Sequence, residues 1–196
     1  QPLTRLQLSH EVVHIDAKRR HVRCANGFEQ DYTHLISSLP LPELIARTLG
    51  APRDVVEAAD RLACTQCVLV CLGLDRADLL DATWTYFYDD DVFMTRASTP
   101  HNVPAGKGSL QAECYYSKKY RPLDRRPEDC IAPVIDAFRK CGVLRDDDVL
   151  LFQQAMFIPH ANVIFDLDRA PALEIVRGYL RDVGIESCGR FGEWGY

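Results

Sequence analysis

The chain has 196 residues, of which 47% are hydrophobic and 26% are charged, a composition typical of a globular protein with a buried core. This excludes a fully disordered or fibrous protein. The formal net charge of −5 gives no support to nucleic-acid binding. No apolar run approaches the ~20 residues of a membrane span, and no signal peptide opens the chain. We therefore expect a cytoplasmic protein without a membrane span.

Eight cysteines are present, and most lie in apolar runs without the spacing of a disulfide framework. We predict reduced thiols, as in a cytoplasmic protein. Cys64, Cys67 and Cys71 lie in one continuous β-type run with no nearby histidine, which argues against a metal site. The acidic runs 89–91 and 146–148 are more typical of solvated corners than of cation sites. No metal site is predicted.

The N-terminal part predicts short strands followed by two helices. EVVHID and RRHVRCA are expected to form a hairpin around residues 16–18, because apolar and polar residues partly alternate in both. Asn26–Phe28 is a second turn. HLISSLP predicts a short buried strand that ends at Pro40. Helices are expected from Leu41 to Leu49 and from Pro52 to Leu62.

The remainder alternates between strands and helices. Cys64–Leu74 predicts a buried strand, and further strands are expected in ATWTYFY, VFMTRAS, SLQAECYYS and DVLLFQQAMFIP. Helices are expected in PEDCIAPVIDAFRKCGV, ending at Gly142, and over Pro171–Val183, ending at Gly184. Because there is no strict βαβ rhythm, we predict an α+β (mixed α/β) fold with a mainly antiparallel mixed sheet and helices on one face.

Common nucleotide and catalytic motifs are absent from the sequence. It contains no G-x-x-x-x-G-K-[ST], H-E-x-x-H or G-x-S-x-G. No G-x-G-x-x-G opens a helix after a strand, and Gly106-Lys107-Gly108 is interpreted as a turn. These patterns alone indicate only a mixed α/β domain.

Four segments resemble one flavoprotein superfamily, whose members include amine oxidases, protoporphyrinogen oxidases and UDP-galactopyranose mutases. GIESCGRFGEWGY resembles its flavin-contacting G-R-[FY]-G-x-W-x-Y signature, and the N-terminal hairpin with YTHLISSLP resembles its small meander. ATWTYFYDDDVFMTRASTPHN is similar to N-W-x-Y-F-P-E-D…F-x-R-A-T-x-x-x-N of the eukaryotic-like mutases. LQAECYYSKKYRP is similar to the segment that follows there. The ordered likeness spans nearly the whole chain.

The resemblance implies a domain organisation. Residues 1–40 correspond to the flavin-domain meander, 41–183 to the substrate-binding domain, and 184–196 to a return strand to the flavin domain. In the family, the dinucleotide-binding glycines lie far upstream, and a further segment follows the signature. We therefore expect a segment of a longer parent enzyme, in which FAD is bound by the parent and not by this segment alone. The segment alone is expected to be inactive.

The resemblance also implies a reaction and a substrate site. The mutases interconvert the pyranose and furanose forms of UDP-galactose on a reduced flavin, and a leaving diphosphate needs guanidinium and phenol donors. Arg96, Tyr86, Asn102 and Tyr196 match the substrate-binding positions. The alternatives are an ordinary ion-paired arginine, a half-buried aromatic residue and a turn asparagine. We assign no catalytic residue.

Three C-terminal residues match the cofactor-binding signature: Gly189, Arg190 and Trp194. Arg190 corresponds to the arginine at the flavin edge, with a capping cation as the alternative. Trp194 is better explained by packing within the flavin domain than by catalysis.

One departure keeps other functions open. The family's R-Y-P-T-P element is replaced by FIPHANVIFDLDR, which resembles the Y-A-Y-P-V-Y-D stretch of porphyrinogen-oxidase-like proteins. An FAD-dependent amine- or porphyrinogen-type oxidoreductase with an apolar pocket is the first alternative, and a cofactor-free partner-binding domain is the second. The expected partner is a nucleotide sugar or another small molecule. Pairing of two copies of the chain is also left open.

Overall fold

A computed structural model describes residues 5–100 and 103–195. Its strands are β1 (Val12–Asp16), β2 (His21–Cys24), β3 (Glu29–Asp31), β4 (Leu35–Ser37), β5 (Gln66–Leu74), β6 (Trp84–Tyr86), β7 (Arg96–Ser98), β8 (Gly108–Tyr116), β9 (Leu150–Ile158) and β10 (Ile185–Ser187). Its α-helices are α1 (Leu41–Arg47), α2 (Arg53–Arg61), α3 (Ile131–Lys140), α4 (Arg169–Asp182) and α5 (Gly189–Gly192), and a 3₁₀ turn over Pro127–Cys130 precedes α3. The mixed α+β fold that the sequence predicts is confirmed.

The chain divides into two compact units. The first comprises Gln1–Ala63 and Val163–Tyr196, and the second comprises Cys64–Asn162. These boundaries do not coincide with the predicted divisions after residues 40 and 183. The reason is that α1, α2 and α4 pack among themselves within the unit that carries the meander. The assignment of segments to flavin and substrate domains stays a prediction.

The first unit combines small sheets with helices. β1, β2 and β3 form the predicted antiparallel meander, while β4 pairs in parallel with β10. In α2 the buried residues Val55, Ala58 and Ala59 lie on one helix face, because residues three and four apart share a face. In α4 the buried residues are Ala172, Leu173, Val176 and Leu180.

The second unit is an antiparallel sheet in the order β6-β7-β8-β5-β9, with α3 on one face. Alternate residues of β5 and β8 are buried, and they form the core with α3. Phe138 and Val134 of α3 are fully buried there. The other alternate residues of each strand, including Glu113 and Tyr115 of β8, lie on the opposite sheet face. We call this second face the open face.

Three strand predictions need correction. The predicted strand ATWTYFY forms only Trp84–Tyr86, because the chain then leads into the turn at Asp89–Val92. Ile36 of β4 is 64% exposed rather than buried, since β4 has a single strand partner among the described residues. The predicted return strand is limited to β10, and the GRFG signature after it forms α5.

The eight cysteines are unpaired thiols, and Cys67, Cys114 and Cys130 are buried. Burial raises the pKa of the Cys67 and Cys114 thiols to about 12, so both are neutral at physiological pH. Within residues 5–100 and 103–195, no three His, Cys, Asp or Glu side chains are grouped to hold a metal ion. In the same part of the chain, no helix has the length and apolarity needed to cross a membrane.

Candidate substrate and cofactor sites

Strand register brings Arg96 together with two other side chains on the open face of the second unit. Arg96 lies opposite Tyr86 in the β6–β7 pair and opposite Glu113 in the β7–β8 pair. Directly opposite residues of antiparallel strands place their side chains on the same face of a sheet. Two of the predicted substrate-binding residues, Arg96 and Tyr86, are therefore neighbours.

A two-point ion pair fixes the Arg96 guanidinium. Arg96 Nε donates to Glu113 Oε2 at 3.0 Å, and Nη2 donates to Oε1 at 2.6 Å. The Arg96 and Glu113 side chains are only 20% and 17% exposed. The Tyr115 hydroxyl donates to the same carboxylate. This geometry holds the guanidinium in one orientation, since a planar fork meets both carboxylate oxygens.

Aromatic rings surround the other sides of Arg96. Its guanidinium carbon lies 4.0 Å from the centroid of the Trp84 ring, a cation–π contact. Arg96 Nη1 donates to the Tyr86 hydroxyl at 3.3 Å, and the Tyr86 and Tyr88 rings stack with centroids 6.4 Å apart. Trp84 and Tyr86 are 54% and 51% exposed. We call Trp84, Tyr86, Arg96, Glu113 and Tyr115 the arginine cluster.

The hydrogen bonds leave part of the guanidinium available. An arginine carries five N–H groups, and three of those on Arg96 are used, one each on Nε, Nη1 and Nη2. Among the described residues, the second N–H of Nη1 and that of Nη2 have no partner. Each of these two N–H groups can donate to an oxygen of a phosphate or carboxylate. The cluster is therefore chemically suited to an oxyanion.

The surroundings of Arg96 and Tyr115 keep both side chains protonated. Burial lowers the pKa of Arg96, but the hydrogen bonds with Glu113 and Tyr86 outweigh it, so the pKa is raised above its ordinary value. Burial, reinforced by the Glu113 carboxylate, raises the pKa of Tyr115 to about 12. Arg96 therefore remains a cation, and Tyr115 remains a hydrogen-bond donor at neutral pH.

An apolar cavity of about 470 Å³ lies in the same unit. Its lining includes Cys71, Gly73, Val103, Gln111 and Phe152. Gln111 is two residues from Glu113 on β8, so both side chains lie on the open face. The open face thus combines a charged cluster with an apolar cavity.

The C-terminal signature forms a tight turn in the first unit. Gly189 has a φ of 76° and opens α5, a backbone region that favours glycine. Trp194 is fully buried and packs edge-to-face on Phe191 with centroids 5.9 Å apart. Arg169 Nε donates to the Trp194 carbonyl at 3.0 Å. Trp194 therefore belongs to the buried interior of the first unit.

The other predicted cofactor and substrate residues are placed as follows. Arg190 is exposed, and its guanidinium carbon lies 5.5 Å from the Phe191 ring centroid. The Trp194 Nε1 atom is buried and has no hydrogen-bond partner in the described part of the chain. Asn102 and Tyr196 lie outside the described residues, so their predicted roles stay predictions.

The sequence analysis missed Glu113 and Tyr115 as members of the site. Both lie on the half-exposed face of the strand SLQAECYYS. The alternation of this strand is the sequence signal that could have placed them on an exposed face. Their pairing with Arg96 depends on the β7–β8 register. That register is a long-range property which alternation in one strand does not fix.

Comparison with solved structures reveals three informative similarities. A reduced UDP-galactopyranose mutase aligns with a TM-score of 0.85 and 25% identity over 98% of this chain and 43% of that chain. A putative protoporphyrinogen oxidase from Exiguobacterium sp. 255-15 aligns with a TM-score of 0.66 and 13% identity, over 87% and 39% of the two chains. A CLA-producing fatty acid isomerase from P. acnes aligns with a TM-score of 0.64 and 14% identity, over 94% and 44%.

The likeness to known proteins is found by comparing structures and not by comparing sequences. No protein-family model matches the chain, and no curated protein matches it in sequence. The chain spans 43% of the length of the mutase that it matches. The oxidase and isomerase alignments, at 13% and 14% identity, show a shared fold. The predicted resemblance is confirmed: the chain has the fold of the flavoprotein superfamily that includes UDP-galactopyranose mutases and protoporphyrinogen oxidases.

Proposed function

We propose that the chain is the substrate-binding portion of an FAD-dependent enzyme resembling UDP-galactopyranose mutase. The observation that carries the proposal is the arginine cluster, in which Arg96 is held by Glu113 while two N–H groups remain for an oxyanion. The similarity to a UDP-galactopyranose mutase at a TM-score of 0.85 supports the same function.

In this proposal Arg96 and Tyr86 bind the diphosphate of a nucleotide sugar. A diphosphate that leaves during the reaction accumulates negative charge, and a fixed guanidinium stabilises that charge without having to reorganise. The Tyr86 hydroxyl lies 3.3 Å from Arg96 Nη1, close enough to contact the same phosphate group. The exposed rings of Trp84 and Tyr86 offer flat surfaces beside it. Asn102 and Tyr196 are proposed to add further contacts.

The proposed role of the C-terminal signature is to contribute to an FAD site in a longer protein. FAD, when bound there, would supply the electron-transfer or nucleophilic chemistry. The residues present could line the edge of an FAD site. Gly189 and Arg190 are exposed, whereas Trp194 is buried and fixes the turn that carries them. We expect the 196-residue chain alone to bind FAD poorly, because it has no G-x-G-x-x-G fingerprint.

The test is a calorimetric titration of the chain with UDP, with Arg96→Ala beside it. Charge-assisted hydrogen bonds contribute about 1.5–3 kcal/mol each, so losing one such bond should weaken UDP binding at least roughly tenfold. Arg125→Ala is the matched control, because Arg125 also pairs with a carboxylate and an aromatic ring. Its partner carboxylate is that of Asp124, and its guanidinium carbon lies 5.6 Å from the centroid of the Phe93 ring. Its UDP affinity should equal that of the unmodified chain.

Two results would contradict this proposal. UDP binding that is unchanged in Arg96→Ala would remove the arginine from the site. A longer protein containing this chain that shows a flavin absorption band but no UDP binding would favour the oxidoreductase alternative instead. A longer protein without any flavin band would contradict both flavoenzyme proposals.

The apolar cavity favours the oxidoreductase as the second candidate. Its lining by Cys71, Val103 and Phe152 suits a hydrophobic substrate better than a nucleotide sugar. In that case an apolar fluorescent probe such as anilinonaphthalene sulfonate should bind the chain. Val103→Trp, which enlarges a side chain of the cavity lining, should reduce the binding. Equal probe fluorescence for both proteins would count against this candidate.

A further inference from the structure

The strand β9 lies at one edge of the five-stranded sheet. In the described part of the chain it pairs with β5 alone, so its other side presents unpaired backbone N–H and C=O groups. β9 is nine residues long. A long edge strand of this kind is a template for pairing with another strand.

β9 lacks two of the devices that usually protect an edge, namely charged residues and proline. Its sequence, LLFQQAMFI, contains no charged residue and no proline. Five of its apolar side chains are 37–54% exposed: Leu151, Phe152, Met156, Phe157 and Ile158. By contrast, the edge strand β3 has the sequence EQD, with two carboxylates. Charges at an edge oppose pairing, so β3 has this protection and β9 does not.

The β9 sequence is self-complementary in an antiparallel arrangement. With Gln154 of each copy on a two-fold axis, Phe152 of one strand faces Met156 of the other. The same register places Leu151 opposite Phe157, and Leu150 opposite Ile158. Apolar residues thus meet apolar residues at both ends, and the two Gln154 amides meet at the centre, where they can exchange hydrogen bonds.

A bulge limits how regular this pairing can be. The β5–β9 register shifts between Gly73 and Leu74, because Gly73 pairs with Phe152 whereas Leu74 pairs with Leu150. Leu151 is therefore the extra residue of β9. The pairs from Phe152 to Met156 lie in the regular part of the strand, and they include the two-fold centre.

We propose that two copies of this chain associate through β9 in that antiparallel register, forming one continuous ten-stranded sheet across a two-fold axis. The occupant of the edge is a second copy because the register pairs apolar residues with apolar residues at both ends of β9 and brings no charges together. The inference is independent of the proposed function, since no residue of the arginine cluster takes part in the pairing.

The experiment measures the mass of the chain by light scattering as a function of concentration. We expect a rise from 22.2 kDa to twice that value. Gln154→Lys places two like charges at the axis, which should weaken association roughly tenfold or more. Gln154 is exposed, so this variant should keep its circular dichroism spectrum. Gln30→Lys on β3 is the matched control and should leave association unchanged.

Hydrogen exchange supplies an independent measurement. Backbone amides of β9 that face away from β5 should become protected as the concentration of the chain rises, while amides of β3 should not. The proposal is overturned by a constant mass of 22.2 kDa at every soluble concentration. It is also overturned by a dimer that forms equally well with Gln154→Lys, because another surface would then be responsible.

Discussion

The Arg76–Asp148 pair allows a prediction about acid stability. Arg76 Nε and Nη2 donate to the two carboxylate oxygens of Asp148 at 2.5 and 2.8 Å, and Nη2 also donates to the Val143 carbonyl at 2.7 Å. The Asp148 side chain is 7% exposed. The pair therefore ties the segment after β5 to the segment between α3 and β9.

The hydrogen bonds from Arg76, together with that from the Arg145 backbone, lower the pKa of Asp148 to about 2 from its usual 3.8. Because the folded pKa is depressed, this stability is present above the unfolded value and is lost as the pH falls through the folded value. The shift corresponds to about 2 kcal/mol of unfolding free energy at pH 7. Roughly half of that contribution should remain at pH 3.

The perturbation is Asp148→Asn, which keeps the shape and removes the charge. At pH 7 the variant should lose at least about 2 kcal/mol, since Arg76 is also left without its carboxylate partner. As the pH approaches 2, the unfolding free energies of the two proteins should converge. Asp146→Asn, at an exposed position of the same acidic run, is the control and should behave as the unmodified chain.

Fluorine NMR of chain labelled with 5-fluorotryptophan can follow the two units separately during urea titrations. The chain has two tryptophans, of which Trp84 lies in the second unit and Trp194 in the first. The Trp84 transition should move in Asp148→Asn. If the variant lost the same free energy at pH 3 as at pH 7, the charge interaction would not be the cause and the reasoning would be refuted.

Two further predictions concern the first unit. The hydrogen bond with Asp31, at 2.8 Å, raises the pKa of His21; the stabilisation is therefore complete below the unfolded pKa and is lost as the pH rises through the folded one. An NMR titration should show a lower His21 pKa in Asp31→Asn, and an unchanged pKa would contradict this. A Cβ at Gly192 would lie 2.9 Å from Ser187 Oγ. The hydroxyl would have to turn away and lose its hydrogen bond to the Gly192 carbonyl, so Gly192→Ala should cost about 0.5–1.5 kcal/mol in a thermal melt. Gly178→Ala, whose Cβ meets nothing closer than 3.9 Å, should not destabilise; equal melting temperatures for the two variants would refute the steric argument.

The sequence predicted elements best where burial follows a regular period. β8 alternates between buried and half-exposed residues along its whole length, so its strand and both of its faces were predictable. The helix α2 was predictable from apolar residues three and four apart. The predicted length of the strand in ATWTYFY was wrong. Aromatic composition favours a strand, but the turn that follows sets where the strand ends.

The candidate site was only partly predictable, for a different reason. Arg96 and Tyr86 were found through resemblance to the mutases, which fixes residue types at given spacings. Glu113 contacts Arg96 from 17 positions away, and only the pairing of β7 with β8 brings the two together. The GRFG signature was identified, but its helical form and the closeness of Gly192 to Ser187 did not follow from the signature.

The ion-paired and the ligand-binding interpretations of Arg96 are compatible. Glu113 occupies the edge of the guanidinium formed by Nε and Nη2, and this leaves one N–H of Nη1 and one of Nη2. Because Glu113 neutralises Arg96, the pair attracts distant anions weakly, and selectivity must come from the direction of the remaining N–H groups. Lysine, a point charge, could satisfy Glu113 but could not offer planar N–H groups in fixed directions. The ion pair would therefore make the proposed oxyanion site geometrically specific, because it fixes the plane of the guanidinium.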